Sequence, residues 1–225
     1  MPATITNDFE STRGDLGRGL YGLRDLRAFL ALSGLPQDAK QALPWLTHVL
    51  NPVAHRPKRY DYSFSDLISL FVVRELRKKG VELQTIRSAE QYLRVKWKTD
   101  RPFVSDQIQT DGRRVLVDDE VIAGQIEAAD LHGQQVMREL IKDRLAHVHY
   151  QGGNAESWTP AKGILVDPRV QFGEPVIEGT RLTTEAVAAT AKRMGLEATT
   201  SHLAVPLDAA KIALKFEEKL AALRE

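Results

Sequence analysis

Residues Ile164–Arg181 constrain the fold more than any other stretch, because turn signals separate two short apolar runs within a few positions. The runs Ile164–Val166 and Val176–Ile177 are typical of short strands. Asp167–Pro168 and Gly173–Pro175 predict turns between them, since proline fixes φ and glycine readily adopts positive φ. The sequence therefore predicts a tight β-hairpin in this part of the chain.

A helix is expected directly after this hairpin. Thr183 or Thr184 can cap its first turn through a side-chain oxygen, and Glu185 lies favourably near the positive end of the helix dipole. The whole stretch resembles a small bacterial domain family, found mainly in toxin–antitoxin operons, in which such a hairpin precedes three short helices. The resemblance runs from about Ile164 to Leu220. The motif residues that carry it are Gly173, Pro175, Gly179, Thr180 and Arg181. The alternative is that these glycines and prolines only shape the backbone.

The composition and the missing motifs exclude several classes of site. The 225 residues include no cysteine, so disulfides, thiol catalysis and cysteine-based zinc sites are excluded. The apolar runs are far shorter than the roughly 18 residues of a membrane span, and the first residues do not resemble a secretory signal. Neither a phosphate-binding glycine loop after a strand nor a hydrolase or zinc-protease motif is present. We therefore expect a cytoplasmic protein with no membrane partner, no cofactor and no enzymatic activity.

Charge is distributed unevenly along the chain. Residues 13–101 hold 17 Lys and Arg against 9 Asp and Glu, whereas residues 102–160 hold 5 against 10. A basic front third on a chain of net charge +1 is typical of a nucleic-acid-binding module. A solvated charged surface gives the same count, so the charge alone does not choose between them.

The basic part of the chain is mostly helical in pattern. Apolar residues recur at helical spacing over residues 23–31, and Ser33–Gly34 is a typical helix end. Pro36 can open a second helix that ends at about residue 43 or 46. A basic stretch with two prolines and no helical period follows.

Two further helices are expected after this stretch. One begins at Ser65 and ends at Gly80, and the other covers Val81 to Trp97. The inward-facing residues predicted for them are Leu67, Leu70, Val73, Leu76, Leu83, Ile86, Ala89, Tyr92 and Leu93.

This order of elements resembles the winged helix-turn-helix of MerR-type regulators. The resemblance is carried by Tyr60–Ser63, which leads into a helix, and by Leu76–Ile86 after it. It implies that the second helix enters the major groove and that the basic stretch forms a wing. The chain lacks the long C-terminal coiled coil of those regulators, so no inducer is expected.

Six residues are implied as DNA contacts by this fold. Side-chain donors for base edges are expected on Gln37, Lys40 and Gln41. The wing would bring to backbone phosphates the side chains of Arg56, Lys58 and Arg59. The alternative is that all of these are solvated surface residues. A solvated face is favoured for the basic residues further along, Arg74, Arg77, Lys78 and Lys79.

The middle of the chain predicts a small antiparallel sheet and a helix. Asp111–Gly112 is a hairpin signal within residues 108–125, and Leu131 to about Ala146 has an amphipathic helical pattern. His147 and His149 belong to a predicted strand where they would share a face and could bind a metal. Because no third ligand is suggested, a structural or surface role is favoured and no metal site is predicted.

Together the front and back modules resemble a full-length antitoxin of the VapB type. The resemblance implies a mainly α fold with small β elements in four parts. These are a flexible arm over residues 1–19, a MerR-like winged helix-turn-helix domain over 20–105, a hairpin with a connecting or dimerisation helix over 106–160, and a C-terminal β-hairpin with three helices over 161–225. It also implies a cytoplasmic homodimer that binds operator DNA, represses its own operon and neutralises a PIN-domain ribonuclease toxin.

The toxin contacts are expected in the C-terminal part. A PIN-type nuclease holds Mg²⁺ or Mn²⁺ with clustered carboxylates, so an antitoxin can cover that site or insert a basic side chain among them. The candidate residues are Arg181, Arg193, Leu220, Leu223 and Arg224. Alternatively, the apolar stripe of the last helix is core and Arg181 only braces its own turn. The alternative function is a stand-alone dimeric transcriptional regulator without a toxin, and a weaker third hypothesis is an enzyme that uses the two histidines.

Overall fold

The fold is mainly α with small antiparallel β elements. The computed structural model describes residues 21–33, 40, 44–46, 49, 54–56, 59–110, 115–117, 120–123, 139–145 and 147–224. The predicted arm over residues 1–19, Asp111–Gly112 and three of the predicted DNA contacts, Gln37, Gln41 and Lys58, lie outside the described residues.

The α-helices of the described part are α1 (Leu23–Leu32), α2 (Phe64–Lys78), α3 (Leu83–Trp97), α4 (Thr184–Met194), α5 (Leu196–Leu203) and α6 (Leu207–Arg224). Short 3-10 turns cover Pro102–Val104, Ile141–Arg144 and Gln171–Gly173. Residues 40 and 44–46 are also helical, in the region where a second helix is predicted. The expectations of helices near residues 23–31, 65–79 and 81–97 are confirmed.

The strands form three antiparallel sheets. The first pairs β1 (Ala54–Arg56) with β2 (Arg59–Asp61). The second has the order β5-β4-β3-β6 and comprises β3 (Gln109–Thr110), β4 (Val115–Val117), β5 (Glu120–Ala123) and β6 (Glu139–Leu140). The third is a meander of order β10-β9-β8-β7 and comprises β7 (Val148–Gln151), β8 (Asn154–Ala161), β9 (Ile164–Val166) and β10 (Val176–Ile177). The predicted sheet over residues 108–125 and the predicted C-terminal hairpin are both present.

Helix α2 begins where the sequence supplies a capping box. The Asp66 amide donates to the Ser63 hydroxyl at 3.2 Å, and the Ser63 amide donates to the Asp66 carboxylate at 2.8 Å. The helix therefore starts at Phe64, one residue before the predicted Ser65. It ends just before Gly80, whose φ of 96° stops the helical pattern as expected.

The amphipathic helix predicted over residues 131–146 is wrong at its described end. Glu139–Leu140 is a strand paired with β3, and Ile141–Arg144 is a 3-10 turn. The Ile141 amide donates to the Ile108 carbonyl at 2.8 Å, which continues the ladder by one bond. Ile141 and Leu145 are buried, so their four-residue spacing serves the core without a helix. Residues 139–141 extend along β3 because the backbone groups at the edge of that strand need hydrogen-bond partners.

Helix α2 lies at the centre of the core and is buried on nearly every side. All four predicted inward residues of this helix are buried, and so are Ile68, Phe71 and Val72 on its other faces. Trp158 of β8 packs edge-to-face on Phe71 and on Phe29 of α1, with ring centroids 5.1 and 5.7 Å apart. Burying one such apolar side chain stabilises the fold by about 1.5–3 kcal/mol, so this contact joins the front and middle parts firmly.

Helix α3 packs with one face only. Ile86, Ala89 and Leu93 are fully buried, as predicted. Tyr92 was predicted to face inward, but it is 45% exposed and its ring lies 5.6 Å from the Lys96 ammonium. A lysine over an aromatic face is a favourable contact that an exposed tyrosine can make. The prediction from helical spacing that Tyr92 faces inward is therefore wrong.

The core does not stop at the predicted boundaries of the C-terminal part. Phe216 and Leu220 of α6 belong to the same apolar cluster as α1 and α2. The meander sheet runs from Val148 to Ile177, so a boundary at residues 160–161 falls within strand β8. The C-terminal hairpin is therefore the outer part of a larger sheet that packs on the front half.

Candidate functional site

The basic stretch expected to form a loop or wing folds as a β-hairpin. In strands β1 and β2, Ala54 pairs with Asp61 and Arg56 pairs with Arg59. Two of the three predicted phosphate contacts therefore lie opposite each other at the end of the ladder. Lys40, the predicted base contact within the described part, is exposed in a helical position before this hairpin.

The base of this hairpin is fastened to helix α1. Tyr62 follows β2, and its amide donates to the Tyr21 carbonyl at 2.9 Å while the Tyr21 amide donates to the Tyr62 carbonyl at 2.7 Å. Tyr21 precedes the N-cap residue of α1, Gly22, and is 5% exposed, with its ring edge-to-face on Phe29 at 5.4 Å. The hairpin is thus positioned by a two-bond backbone bridge to the start of the first helix.

A buried ion pair lies beside the start of α2. Arg101 Nε is 2.7 Å from Asp66 Oδ1, and the two side chains are 6% and 0% exposed. Burial raises the pKa of the Asp66 carboxyl, while the Arg101 charge and the Ser63 hydrogen bonds oppose that shift. The pair holds the 3-10 turn that follows Arg101 against α2. The two residues are distant in the sequence, and no local pattern links them.

Arg74 was expected on a solvated face, and this is wrong. Its side chain is 4% exposed; its Nη1 donates to the Ser33 carbonyl at 3.0 Å and its Nε donates to Glu75 at 2.9 Å. Ser33 is the residue at which α1 ends, so a cation meets the negative end of that helix. Arg77 and Lys78 are exposed, as expected.

The C-terminal hairpin is built by the turn chemistry that its sequence indicates. Val176 pairs with Leu165, and the corner at Gly179 has φ of 78°. The Thr180 hydroxyl donates to the Ile177 carbonyl at 2.8 Å, which closes the corner. Helix α4 then begins after Thr183, whose hydroxyl accepts from the Ala186 amide at 3.2 Å. This confirms Thr183, of the two predicted candidates, as the cap.

The turn between β9 and β10 exposes an aromatic ring. Phe172 is 77% exposed and has φ of 55°, and Gln171 before it has φ of 46°. The turn is anchored on both sides. The Tyr21 hydroxyl donates to the Gly173 carbonyl at 2.8 Å, and Gln171 Nε2 donates to the Arg181 carbonyl at 2.9 Å. The sequence predicts the turn itself, whereas the exposure of a large aromatic side chain within it is a feature of the structure.

The predicted toxin contacts have different surroundings. Arg181 and Arg193 are exposed, and neither makes an ion pair with another described residue. Arg224 is engaged within the chain, with its Nε 2.9 Å from Asp25 Oδ1 at the start of α1. Leu220 is 1% exposed and Leu223 packs partly buried on the same cluster. This corrects the assignment of Leu220 as a surface contact, since its partner is the core of its own chain.

Carboxylates gather where α1, the C-terminal hairpin, α4 and α6 meet. Burial raises the pKa of Glu174, and the charges of Glu185 and Asp25 raise it further, while Arg224 opposes them. The Thr184 hydroxyl donates a short hydrogen bond to the Glu217 carboxylate, which joins α4 to α6. The Arg224–Asp25 ion pair joins α6 to α1, and the same arginine offsets part of the negative charge.

Neither His147, which directly precedes β7, nor His149 within it belongs to a metal-ligand set among the described residues. His147 and His149 are exposed, and His149 Nε2 lies 2.9 Å from the Thr159 hydroxyl. Within the residues that the structure describes, no group of three or more His, Cys, Asp or Glu side chains is placed to hold a metal ion. In the same residues, no helix has the length and apolar character needed to cross a bilayer.

Comparison with known proteins shows a shared fold. No family model matches the chain, and no curated protein matches it. Its structure is similar to the crystal structure of Rv2018 from Mycobacterium tuberculosis, with a TM-score of 0.58 and 18% sequence identity. The match covers 87% of this chain and 96% of that chain. At this identity the likeness concerns the fold, which therefore extends over nearly the whole of both proteins.

Proposed function

We propose that this chain is the antitoxin of a type II toxin–antitoxin system, which neutralises a PIN-domain ribonuclease and represses its own operon as a cytoplasmic homodimer. The observation that carries the proposal is the basic hairpin Ala54–Asp61. It follows α1 and the helical residues 40 and 44–46, and it leads directly into α2. This order of elements supports a winged helix-turn-helix, in which the hairpin would be the wing.

The DNA-binding part of the proposal rests on charge at this hairpin. Arg56 and Arg59 are paired residues of a two-stranded ribbon, a shape that can follow a DNA backbone. Guanidinium groups bind phosphate oxygens strongly and can do so with two parallel hydrogen bonds. Lys40 is exposed in a helical position and is proposed to contact base edges. Gln37 and Gln41 are proposed as further base contacts and Lys58 as a further phosphate contact, although these three lie outside the described residues.

The toxin-binding part rests on the exposed arginines of the C-terminal elements. Arg181 follows the hairpin corner and Arg193 lies in the last turn of α4, and both are open to solvent. A guanidinium entering a cluster of metal-binding carboxylates would compete with the metal for them. Arg224 already pairs with Asp25, so Arg181 and Arg193 are the stronger candidates.

The DNA-binding part is tested by titrating the protein with DNA from just upstream of its gene. A scrambled duplex is the reference, and each titration is repeated across a range of salt concentrations. We expect preference for the upstream DNA and a linear fall of log affinity with log salt. Arg56→Ala and Arg59→Ala should each flatten that slope by about one unit. Arg87→Ala, which removes an exposed charge from α3, is the matched control and should leave the slope unchanged.

The toxin-binding part is tested by co-expression with the product of the neighbouring open reading frame. We expect that product to be toxic alone and to co-purify with this chain. Specific binding of upstream DNA together with a harmless neighbour that does not associate would instead establish a stand-alone regulator. Equal slopes for the Arg56, Arg59 and Arg87 variants would contradict the role of the hairpin.

A further inference from the structure

The turn between β9 and β10 presents Phe172 in an unfavourable backbone conformation. Phe172 has φ of 55° and ψ of 28°, and the preceding Gln171 has φ of 46°. Both are L-residues with a Cβ, which crowds the neighbouring carbonyl in the left-handed region. Glycine at either position would avoid this crowding. Two such residues in succession are a local strain, and strain of this kind clusters at functional sites.

The turn holds this conformation through hydrogen bonds on each side. The Gly173 amide donates to the Val170 carbonyl and the Glu174 amide to the Gln171 carbonyl, both at 3.0 Å. The Gly173 carbonyl accepts from the buried Tyr21 hydroxyl at 2.8 Å. The hydrogen bonds therefore fix the backbone of the turn, while 77% of the surface of Phe172 is exposed to solvent.

The backbone of Arg181 is hydrogen-bonded to the turn that carries this ring. Gln171, the neighbour of Phe172, donates from its side chain to the Arg181 carbonyl at 2.9 Å. The Arg181 side chain is exposed and makes no ion pair with any described residue. Aromatic residues and arginine are the types most often found to dominate the binding energy of protein interfaces.

We propose that Phe172 and Arg181 together form a docking knob for another protein, one that offers an apolar pocket bordered by carboxylates. The ring would fill the pocket and the guanidinium would pair with the carboxylates. The identity of that protein as the toxin rests on the proposed function.

A second copy of this chain fits the knob poorly. A buried aromatic side chain contributes about 150–250 Å², whereas each side of a stable interface contributes about 800 Å². The exposed residues beside Phe172 in this turn are polar, namely Gln171 and Glu174. A two-fold contact through this turn would also bring two Arg181 side chains together, and their like charges repel. A single ring on a rigid support suits insertion into a pocket of a different protein.

The test measures the affinity of the full-length protein for the purified product of the neighbouring open reading frame. We expect Phe172→Ala and Arg181→Ala each to weaken binding at least about tenfold. Val95→Ala is the matched control for the ring, because Val95 is 79% exposed on α3, and Arg87→Ala is the control for the charge. Both controls should bind as the wild type does, and all four variants should retain the affinity for upstream DNA.

Phe172→Gly separates docking from a structural role. It removes the ring and also the crowding of the left-handed backbone, so the melting temperature should stay equal or rise while binding is lost. A lower melting temperature would show that the ring serves the fold and would overturn the proposal. Wild-type binding by Phe172→Ala would overturn the docking knob and leave the antitoxin function standing. No binding by the wild-type protein would overturn both.

Discussion

Two hairpins of this protein share one support but differ in the residues that they carry. The hairpin Ala54–Asp61 pairs two arginines at the end of its ladder, whereas the turn between β9 and β10 exposes an aromatic ring. Tyr21 contacts both. Its backbone forms the bridge to Tyr62 at the base of the first hairpin, and its hydroxyl binds the Gly173 carbonyl in the second. One buried residue therefore contacts both the base of the first hairpin and the turn of the second.

The difference between the two surfaces has a consequence for their partners. Binding through arginines and phosphates weakens as salt rises, because released counterions drive it. Binding through a buried ring depends on apolar area and responds much less to salt. The two proposed activities should thus be separable by salt as well as by mutation.

The largest effect is expected from breaking the buried ion pair between Arg101 and Asp66 beside the start of α2. Arg101→Met leaves the Asp66 carboxylate buried without its partner, which should lower the free energy of unfolding by about 3–5 kcal/mol. Urea unfolding followed by circular dichroism measures this loss. Asp66→Asn in the Arg101→Met background should recover part of it, since the unpaired charge is gone. An unchanged urea midpoint for Arg101→Met would show that the pair does not support the core.

Measuring DNA binding and partner binding in variants of each hairpin tests whether the two hairpins act independently. The double variant Arg56→Ala/Arg59→Ala should lose about two units of salt slope in DNA binding and keep its affinity for the partner protein. Phe172→Ala should keep the wild-type salt slope in DNA binding and lose affinity for the partner protein. Both variants should have the same urea midpoint of unfolding as the wild-type protein. Loss of both activities in either variant would mean that the hairpins are not independent surfaces.

A smaller effect is expected from breaking the shared support at one side only. Tyr21→Phe keeps the backbone bridge to Tyr62 but leaves the buried Gly173 carbonyl without its hydroxyl donor. We expect a loss of about 1–2 kcal/mol in the free energy of unfolding. Partner binding should weaken more than DNA binding, because only the second hairpin loses a contact. Tyr92→Phe, at an exposed hydroxyl on α3, is the control and should show neither effect.

The smallest effect concerns Glu174, one of the carboxylates where α1, the C-terminal hairpin, α4 and α6 meet. Burial and the charges of Glu185 and Asp25 raise the pKa of Glu174 above its ordinary value, so the folded state binds this proton more tightly than the unfolded state does. Ionised Glu174 therefore opposes folding at neutral pH, and this cost disappears as pH falls below the ordinary carboxyl range. Glu174→Gln should raise the melting temperature slightly at about pH 7 and leave it unchanged at about pH 4. The exposed Glu178→Gln serves as the control, and a stabilisation that persists at low pH would contradict the assignment.

Local chemistry made much of the fold predictable. The hairpin Ile164–Ile177 and the cap at Thr183 follow from proline, glycine and threonine positions, and these act within a few residues. The inward faces of α2 and most of α3 follow from helical spacing. The helix predicted over residues 131–146 is wrong at residues 139–144, because β3, which is distant in the sequence, supplies backbone partners to the strand Glu139–Leu140.

The features of the candidate sites also divide into those that follow from local sequence and those that depend on tertiary packing. The sequence by itself determined that basic residues cluster near Arg56, that a turn surrounds Phe172, and that an apolar stripe runs along α6. Only the tertiary structure decided that Leu220 packs inside its own chain, that Arg224 pairs with Asp25, and that Phe172 faces solvent. Side-chain type and spacing are local properties, whereas burial and pairing depend on which distant element fills the space beside a residue.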